Sequence, residues 1–210
     1  MDDLERNLMS NENYSVHMVR ESLDDLPEFA LPAPYSIRWY RPGDKENWLA
    51  IQLEAEKFFR VWPALYEREF GRDDEVLARR QAYLCDGQGR PIGTATAWYK
   101  PDYEGQAYGQ IHWVAIVPAH QRRGLAKPLL SAVCHRMRDL GHERAYLATS
   151  TGRIEAVGLY LKFGFVPKIR TDKDIFYWQV VANELDHQAV RVAVGSRGVR
   201  NVHNQDRFYK

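Results

Sequence analysis

From residue 36 onward, short runs with a period of two alternate with longer stretches whose apolar residues recur at helical spacing. Ser36 to Tyr40 (SIRWY) alternates as a half-buried strand does. Arg41, Pro42, Gly43 and Asp44 then turn the chain, and Asp44 reads as the N-cap of a helix carrying Trp48, Ile51, Ala55, Phe58 and Trp62 on one face. Gln81 to Cys85 and Ile92 to Tyr99 predict two strands joined by a turn at Asp86 to Arg90, with a loop after them from Lys100 to Gly109. Gln110 to Val117 (QIHWVAIV) is a nearly unbroken apolar run, as expected of a central strand covered on both faces. A helix follows from Leu125 to Leu140, stopped by Gly141. Arg144 to Thr149 reads as a strand, Arg153 to Phe163 as a helix ended by Gly164, and Phe165 to Ile169 and Ile175 to Val181 as two further strands. The order predicts an α/β fold: a mixed sheet of about six to seven strands, flanked by helices, with some parallel pairing.

The two ends read differently from this body. Residues 1–34 hold eight acidic side chains against Arg6 and Arg20, a net of −6, and close on Leu31, Pro32, Ala33 and Pro34. Two prolines in four residues hold a backbone extended, so residues 1–35 are assigned as an acidic arm, 36–182 as the folded domain and 183–210 as a polar, basic tail. The whole chain carries a net charge of +1, which leaves +7 beyond the arm. That excess suits a small anionic ligand and is too evenly mixed with acids to indicate nucleic acid. The acidic arm and basic tail also suit a homodimer in which each pairs with the other copy.

Composition narrows the class. With 6 Trp, 12 Tyr and 8 Phe the body has the large apolar side chains a packed core needs, which excludes a disordered chain. No run approaches the roughly 18 apolar residues of a membrane span. Met1 to Ser10 is acidic and polar where a signal peptide is basic and apolar, so a cytoplasmic protein without a membrane partner is expected. Cys85 and Cys134, the two cysteines, have no paired spacing, and the seven histidines have none that defines a metal site.

The chemistry concentrates after the central strand, in Gln121, Arg122, Arg123, Gly124, Leu125, Ala126 and Lys127. A short strand-to-helix loop leaves backbone N–H groups unpaired at a helix start, where the macrodipole adds positive character. Such a loop suits a phosphate or pyrophosphate, and Gly124 lets the ligand approach the backbone. On these letters alone a solvated basic helix start accounts for the segment equally well. The Gly-Lys-Ser/Thr ending of a nucleotide-hydrolysing loop is missing.

Gln121-Arg122-Arg123-Gly124-Leu125-Ala126 resembles the Gln/Arg-x-x-Gly-x-Gly/Ala signature of the GNAT superfamily of acyl-CoA-dependent N-acyltransferases. A second element, Ala156 to Phe165 (AVGLYLKFGF), is similar to a later helix of the same family, and the resemblance runs over about residues 36–181. It implies an N-acetyltransferase that takes acetyl-CoA, without a metal, and passes the acetyl group to a primary amine by direct attack in a ternary complex. It also implies a sheet splayed between the strands at Gln110 to Val117 and Arg144 to Thr149. Val114, Ala115 and Ile116 would then offer backbone groups to the pantetheine arm and thioester, and Arg122, Arg123, Gly124, Leu125, Ala126 and Lys127 would hold the pyrophosphate. Tyr160 matches the family's tyrosine that protonates the departing thiolate, against the alternative of a tyrosine simply packed on its helix.

The base is less defined by the resemblance, because the strand position that carries a carboxylate in some members is Ala148 here. His112, on the central strand and on the same face as Gln110 and Val114, is the titratable candidate, with a structural histidine as the alternative. His120 lies in the loop and can touch the cofactor, and Arg153 stands where many relatives have an asparagine. For the acceptor, a small molecule or a peptide amine, Trp48, Phe58, Phe59, Trp62 and Tyr66 are candidates for an aromatic slot, with Glu54, Glu56 and Glu67 to attract a cation. The missing carboxylate at Ala148 also admits a non-catalytic acyl-CoA-binding module of the same fold.

Overall fold

The computed structural model describes residues 13–58 and 60–195. In chain order its elements are β1 (Ser15–Arg20), β2 (Ser36–Trp39), α1 (Asp44–Ala55), α2 (Leu65–Phe70), α3 (Asp74–Arg80), β3 (Gln81–Cys85), β4 (Pro91–Tyr103), β5 (Gln106–Ile116), a 3₁₀ turn (Pro118–His120), α4 (Ala126–Asp139), β6 (Ala145–Ser150), α5 (Ile154–Lys162), β7 (Val166–Lys168) and α6 (Asp172–Glu184). They fall into two compact units, one of residues 21–145 and one that joins the chain up to Arg20 to the chain from Tyr146. The α/β class and the strand number agree with the sequence pattern.

In the unit of residues 21–145, strands β2, β3, β4 and β5 lie side by side in that order, each antiparallel to the next. Two consecutive residues of β2 show how the faces are covered. Arg38 pairs with Asp44 at the start of α1 at 2.6 Å, and its neighbour Trp39 lies under Arg136 of α4, 3.9 Å from guanidinium carbon to ring centroid. Successive strand side chains point to opposite faces, so α1 and α4 cover opposite sides, and β3 is buried at every position. Between α1, α2 and the sheet, Trp48 packs edge-on against Tyr66, Phe70 and Trp113 with centroids 5.4, 5.6 and 5.2 Å away.

Three predicted features of this unit change. Asp44 is the first helical residue rather than the N-cap, which is Gly43 at φ 95°. Its carboxylate, 3% exposed, accepts from the Arg41 N–H at 2.7 Å, the Asn47 amide at 2.8 Å and the Arg38 guanidinium, so it ties turn, helix and strand together. The first helix ends at Ala55, short of Phe58 and Trp62, because Glu56 adopts an extended conformation and its side chain accepts from the Phe58 N–H at 2.8 Å. The predicted loop at Lys100 to Gly109 is instead a hairpin: Glu104 and Gly105, at φ 55° and 83°, form a two-residue turn that matches the twist of β4 and β5.

In the other unit the strand order is β6, β1, β7, with β1 antiparallel to β7 through the pairs His17–Lys168, Met18–Pro167 and Val19–Val166. Residues that the sequence places in the acidic arm therefore form a strand with a neighbour on each side. Val16 and Met18 are fully buried. Tyr14 donates its N–H to Thr151 Oγ1 at 3.0 Å and accepts from the Thr151 N–H at 2.9 Å, and Arg20 donates to the Phe163 carbonyl. The predicted strand Ile175 to Val181 is helical, within α6. Its aromatic and β-branched residues favour a strand locally, but Thr171 and Asp174 form a capping box: the Thr171 hydroxyl accepts from the Asp174 N–H and the Asp174 carboxylate from the Thr171 N–H at 3.0 Å. Trp178 and Val181 then bury one helical face. Among the described residues no helix is long and apolar enough to cross a membrane.

Candidate active site

The site begins with a break in the ladder between β4 and β5. Thr94 pairs with Ala115 and Thr96 with His112, so two steps along β4 match three along β5, and Trp113 and Val114 have only Ala95 opposite them. This is a β-bulge, which leaves an extra residue unpaired and bends the strand. Trp113 sits at φ 50°, an outlier for a bulky residue. Its carbonyl accepts from the Gln52 amide of α1 at 3.4 Å.

The bulge brings His112 and Trp113, consecutive residues, onto one carboxylate. Glu69 Oε2 lies 3.1 Å from His112 Nε2 and accepts from the Trp113 indole N–H at 3.1 Å. Its other oxygen accepts from Arg68, Nε at 3.0 Å and Nη2 at 2.8 Å. The hydrogen bond from His112, with those from Trp113 and Arg68, holds the Glu69 carboxyl down at about 2 against a burial that works the other way. Glu69 is therefore ionised at neutral pH and too weak a base to take a proton there. An ionised carboxylate only accepts, so His112 carries its proton on Nε2, and its Nδ1 faces the Gln110 amide at 3.0 Å. Phe70 closes the imidazole edge-on at 5.5 Å.

After β5 the chain passes through the 3₁₀ turn into the candidate phosphate loop. Gln121 folds back and donates its side-chain amide to the Ile116 carbonyl at 2.7 Å, which fastens the loop to the strand end. Arg122 has φ 58° and Gly124 φ 77°, and residues 121–124 are exposed. A Cβ on Gly124 would meet no atom within 4 Å, so a ligand can come close to the backbone there. Among the described residues, the N–H groups of residues 122–126 meet no backbone acceptor. These unpaired donors at the start of α4, with Arg122 and Lys127 beside them, are the chemistry a pyrophosphate requires. Arg123 is committed within the protein, donating to the Tyr35 hydroxyl at 3.1 Å and the Ala119 carbonyl at 2.9 Å. His120 Nδ1 is 3.4 Å from the same hydroxyl, and the Lys127 ammonium lies 5.2 Å from the Phe29 ring centroid. The irregular segment that carries Phe29 and Tyr35 thus contributes to the loop's surroundings.

Val114, Ala115, Ile116, His112 and residues 122–127 all belong to the unit of residues 21–145. Tyr160 belongs to the other unit, on α5, 8% exposed and edge-on to Phe165 at 6.2 Å. Arg153 is the N-cap of that helix, and Ala148 is exposed on β6. The aromatic slot does not assemble as expected. Trp48 and Tyr66 are 0% and 2% exposed and belong to the core, Trp62 lies 4.6 Å under the Arg68 guanidinium, Phe58 points outward, and Phe59 lies outside the described residues. Of the three acids, Glu54 is exposed on α1, Glu56 caps the turn after it, and Glu67 pairs with Lys45 and Arg72 at 2.7 and 2.5 Å.

Glu69 is the residue that sequence reasoning missed. It lies 43 residues before His112 in a helix of six residues, too short for a periodic signal. Among the described residues no group of three or more His, Cys, Asp or Glu converges as a metal site.

A strand bulge followed by an open, glycine-containing helix start is an arrangement for an extended, phosphate-bearing ligand, and comparison with known proteins gives the class. The description of the Acetyltransferase (GNAT) family matches residues 47–165, more than half of the chain, and the chain belongs to that family. Its similar curated relatives include a mycothiol acetyltransferase of Pseudarthrobacter chlorophenolicus, 32% identical over 161 residues that make up 74% of this chain and 49% of that protein. A mycothiol acetyltransferase from an Arthrobacter species is 32% identical over 165 residues, 73% of this chain and 48% of its own. The chain spans about half the length of the curated relatives it matches. Among solved structures, a GCN5-related N-acetyltransferase from Sphaerobacter thermophilus superposes with a TM-score of 0.56 at 21% identity, over 79% of this chain and 53% of that one, a likeness of fold.

Proposed function

We propose that the chain transfers an acetyl group from acetyl-CoA to a primary amine on a small molecule, by direct attack and without an enzyme-bound acetyl group. The observation that carries this reading is the pair of strained residues bracketing the site. Trp113 and Arg122, neither of them glycine, hold positive φ at the bulge and in the loop, and such strain gathers where backbone groups are set for a ligand. The loop at residues 122–127 is the pyrophosphate holder, and the bulge at Val114 is where backbone meets the thioester. A backbone N–H there stabilises the oxyanion that develops as the amine attacks, a kind of contact worth about 3 kcal/mol in other acyl transfers. The small-molecule acceptor is supported by the relatives, which bear the name mycothiol acetyltransferase.

His112 takes the proton from the attacking amine. Nδ1 is the nitrogen with the lone pair, and the Gln110 amide facing it can turn to accept once Nδ1 is protonated. The C–N bond forms, the C–S bond breaks, and the sulfur takes its proton from Tyr160, the role that the family resemblance gives that residue. The test is an assay of thiol release from acetyl-CoA over a panel of small amines, run on the wild type and on Tyr160→Phe. The expected result is amine-dependent release, with kcat of Tyr160→Phe lowered roughly 10²-fold and binding of CoA retained. No amine-dependent release, or full turnover in Tyr160→Phe, contradicts the transfer reading or the role of Tyr160 respectively.

A further inference from the structure

In a regular strand His112 and Trp113 would point to opposite faces of the sheet. Here the φ of 50° at Trp113 turns both toward α2, and both ring nitrogens reach one oxygen, Glu69 Oε2, at 3.1 Å each. The second oxygen is held from its own helix by Arg68, whose guanidinium is itself stacked on Trp62 at 4.6 Å. The Glu69 and His112 side chains are each 19% exposed, so water competes weakly for these bonds. One carboxylate oxygen thus meets both the imidazole and the bulged residue beside it.

We propose that Glu69 is a positioning residue for acyl transfer, holding His112 with its proton on Nε2 and latching the Trp113 bulge that takes Val114 out of the β4–β5 ladder. The inference rests on the acetyl-transfer reading above and adds to it a residue on a different element from the strand and the loop. Glu69 touches neither the acetyl group nor the amine in this account. It acts through His112, whose Nδ1 it leaves as the nitrogen with the lone pair. The charged and titratable groups facing the imidazole network are Glu69 and, behind it, Arg68, both on α2; from β4 the register neighbours are Thr96 and Trp98, and from β5 Gln110. An amide at position 69 keeps the shape but presents a donor as well as an acceptor to Nε2, so the tautomer is no longer enforced.

The experiment is long-range ¹⁵N–¹H spectroscopy of histidine-labelled protein at neutral pH, with the His112 signals assigned by their loss in His112→Asn, on the wild type and on Glu69→Gln. The wild type should show Nε2 protonated and Nδ1 unprotonated at His112. Glu69→Gln should show a mixture of tautomers, with kcat lowered roughly 10²-fold and the KM for acetyl-CoA unchanged. An unchanged His112 tautomer together with full kcat in Glu69→Gln overturns the proposal. Should Glu69→Gln fail to fold, Trp113→Phe removes the indole donor together with part of the ring that packs on Trp48: it is expected to keep the His112 tautomer and lower kcat, and unchanged kcat removes the bulge latch. If the wild type transfers acetyl to no amine, the transfer reading falls by itself, and the tautomer comparison still decides whether Glu69 holds His112.

Discussion

Glu69 and Glu67 are two residues apart on α2 and have opposite uses. Glu67 is bound by Lys45 and Arg72 at the surface, a contact of small consequence for stability, while Glu69 faces inward onto two ring nitrogens. Because the folded Glu69 carboxyl titrates at about 2, below its ordinary 4.5, its interactions contribute fully above pH 4.5 and are lost as pH falls toward 2. The wild type should therefore lose more stability over that interval than Glu69→Gln, as read from urea midpoints at successive pH values. Parallel curves would show that the carboxylate gains nothing from His112 and Trp113. At this scale the candidate phosphate loop was legible as an exposed helix start because its residues are contiguous and its proposed chemistry is carried by glycine, basic side chains and backbone. Glu69 was not, since its partners His112 and Trp113 lie 43 and 44 residues further on, and of the acids that looked useful for an amine Glu67 is in a surface ion pair, Glu56 in a turn and Glu54 exposed on α1.

Elements were read correctly where hydrophobic period and local signals agreed, and incorrectly where they conflicted. The run Leu125 to Leu140 has a helical period and a glycine stop, and α4 occupies it. Ile175 to Val181 is rich in strand-favouring residues, yet the signal that decided it stands before the run, in the Thr171-x-x-Asp174 box. Asp174, 3% exposed, accepts from the N–H groups of Arg170 and Thr171 at 2.8 and 3.0 Å and from the Arg170 guanidinium at 3.3 Å. Replacing it by alanine leaves those donors without their acceptor, a loss of about 1–3 kcal/mol. Chemical denaturation of Asp174→Ala should show that loss as a lowered midpoint, and an unchanged midpoint would mean that packing of Trp178 and Val181 alone determines the helix. The hairpin at Glu104 and Gly105 was missed for a different reason: its turn is signalled by one glycine, inside a stretch whose polar residues resemble a loop.

For the molecule as a whole, charge obscured structure. The acidity of residues 1–34 suggested an arm outside the domain of residues 36–182, and within it Ser15–Arg20 supplies the strand between β6 and β7, with Val16 and Met18 buried in the pattern a half-buried strand shows. Fold class and family were legible because two motifs about 35 residues apart kept their order around one predicted strand. The acceptor was not, because, of the aromatics that resembled a slot, Trp48 and Tyr66 are core residues on α1 and α2, Trp62 stacks on Arg68 and Phe58 points outward. What the account claims most centrally is that the loop at residues 122–127 holds the pyrophosphate of acetyl-CoA. The direct test is thermal unfolding with and without acetyl-CoA, with CoA and NAD as controls. A site filled to 100 times its dissociation constant adds about 2.7 kcal/mol, so acetyl-CoA and CoA should both raise the midpoint while NAD leaves it unchanged. No rise with acetyl-CoA or CoA, or an equal rise with NAD, would contradict the account.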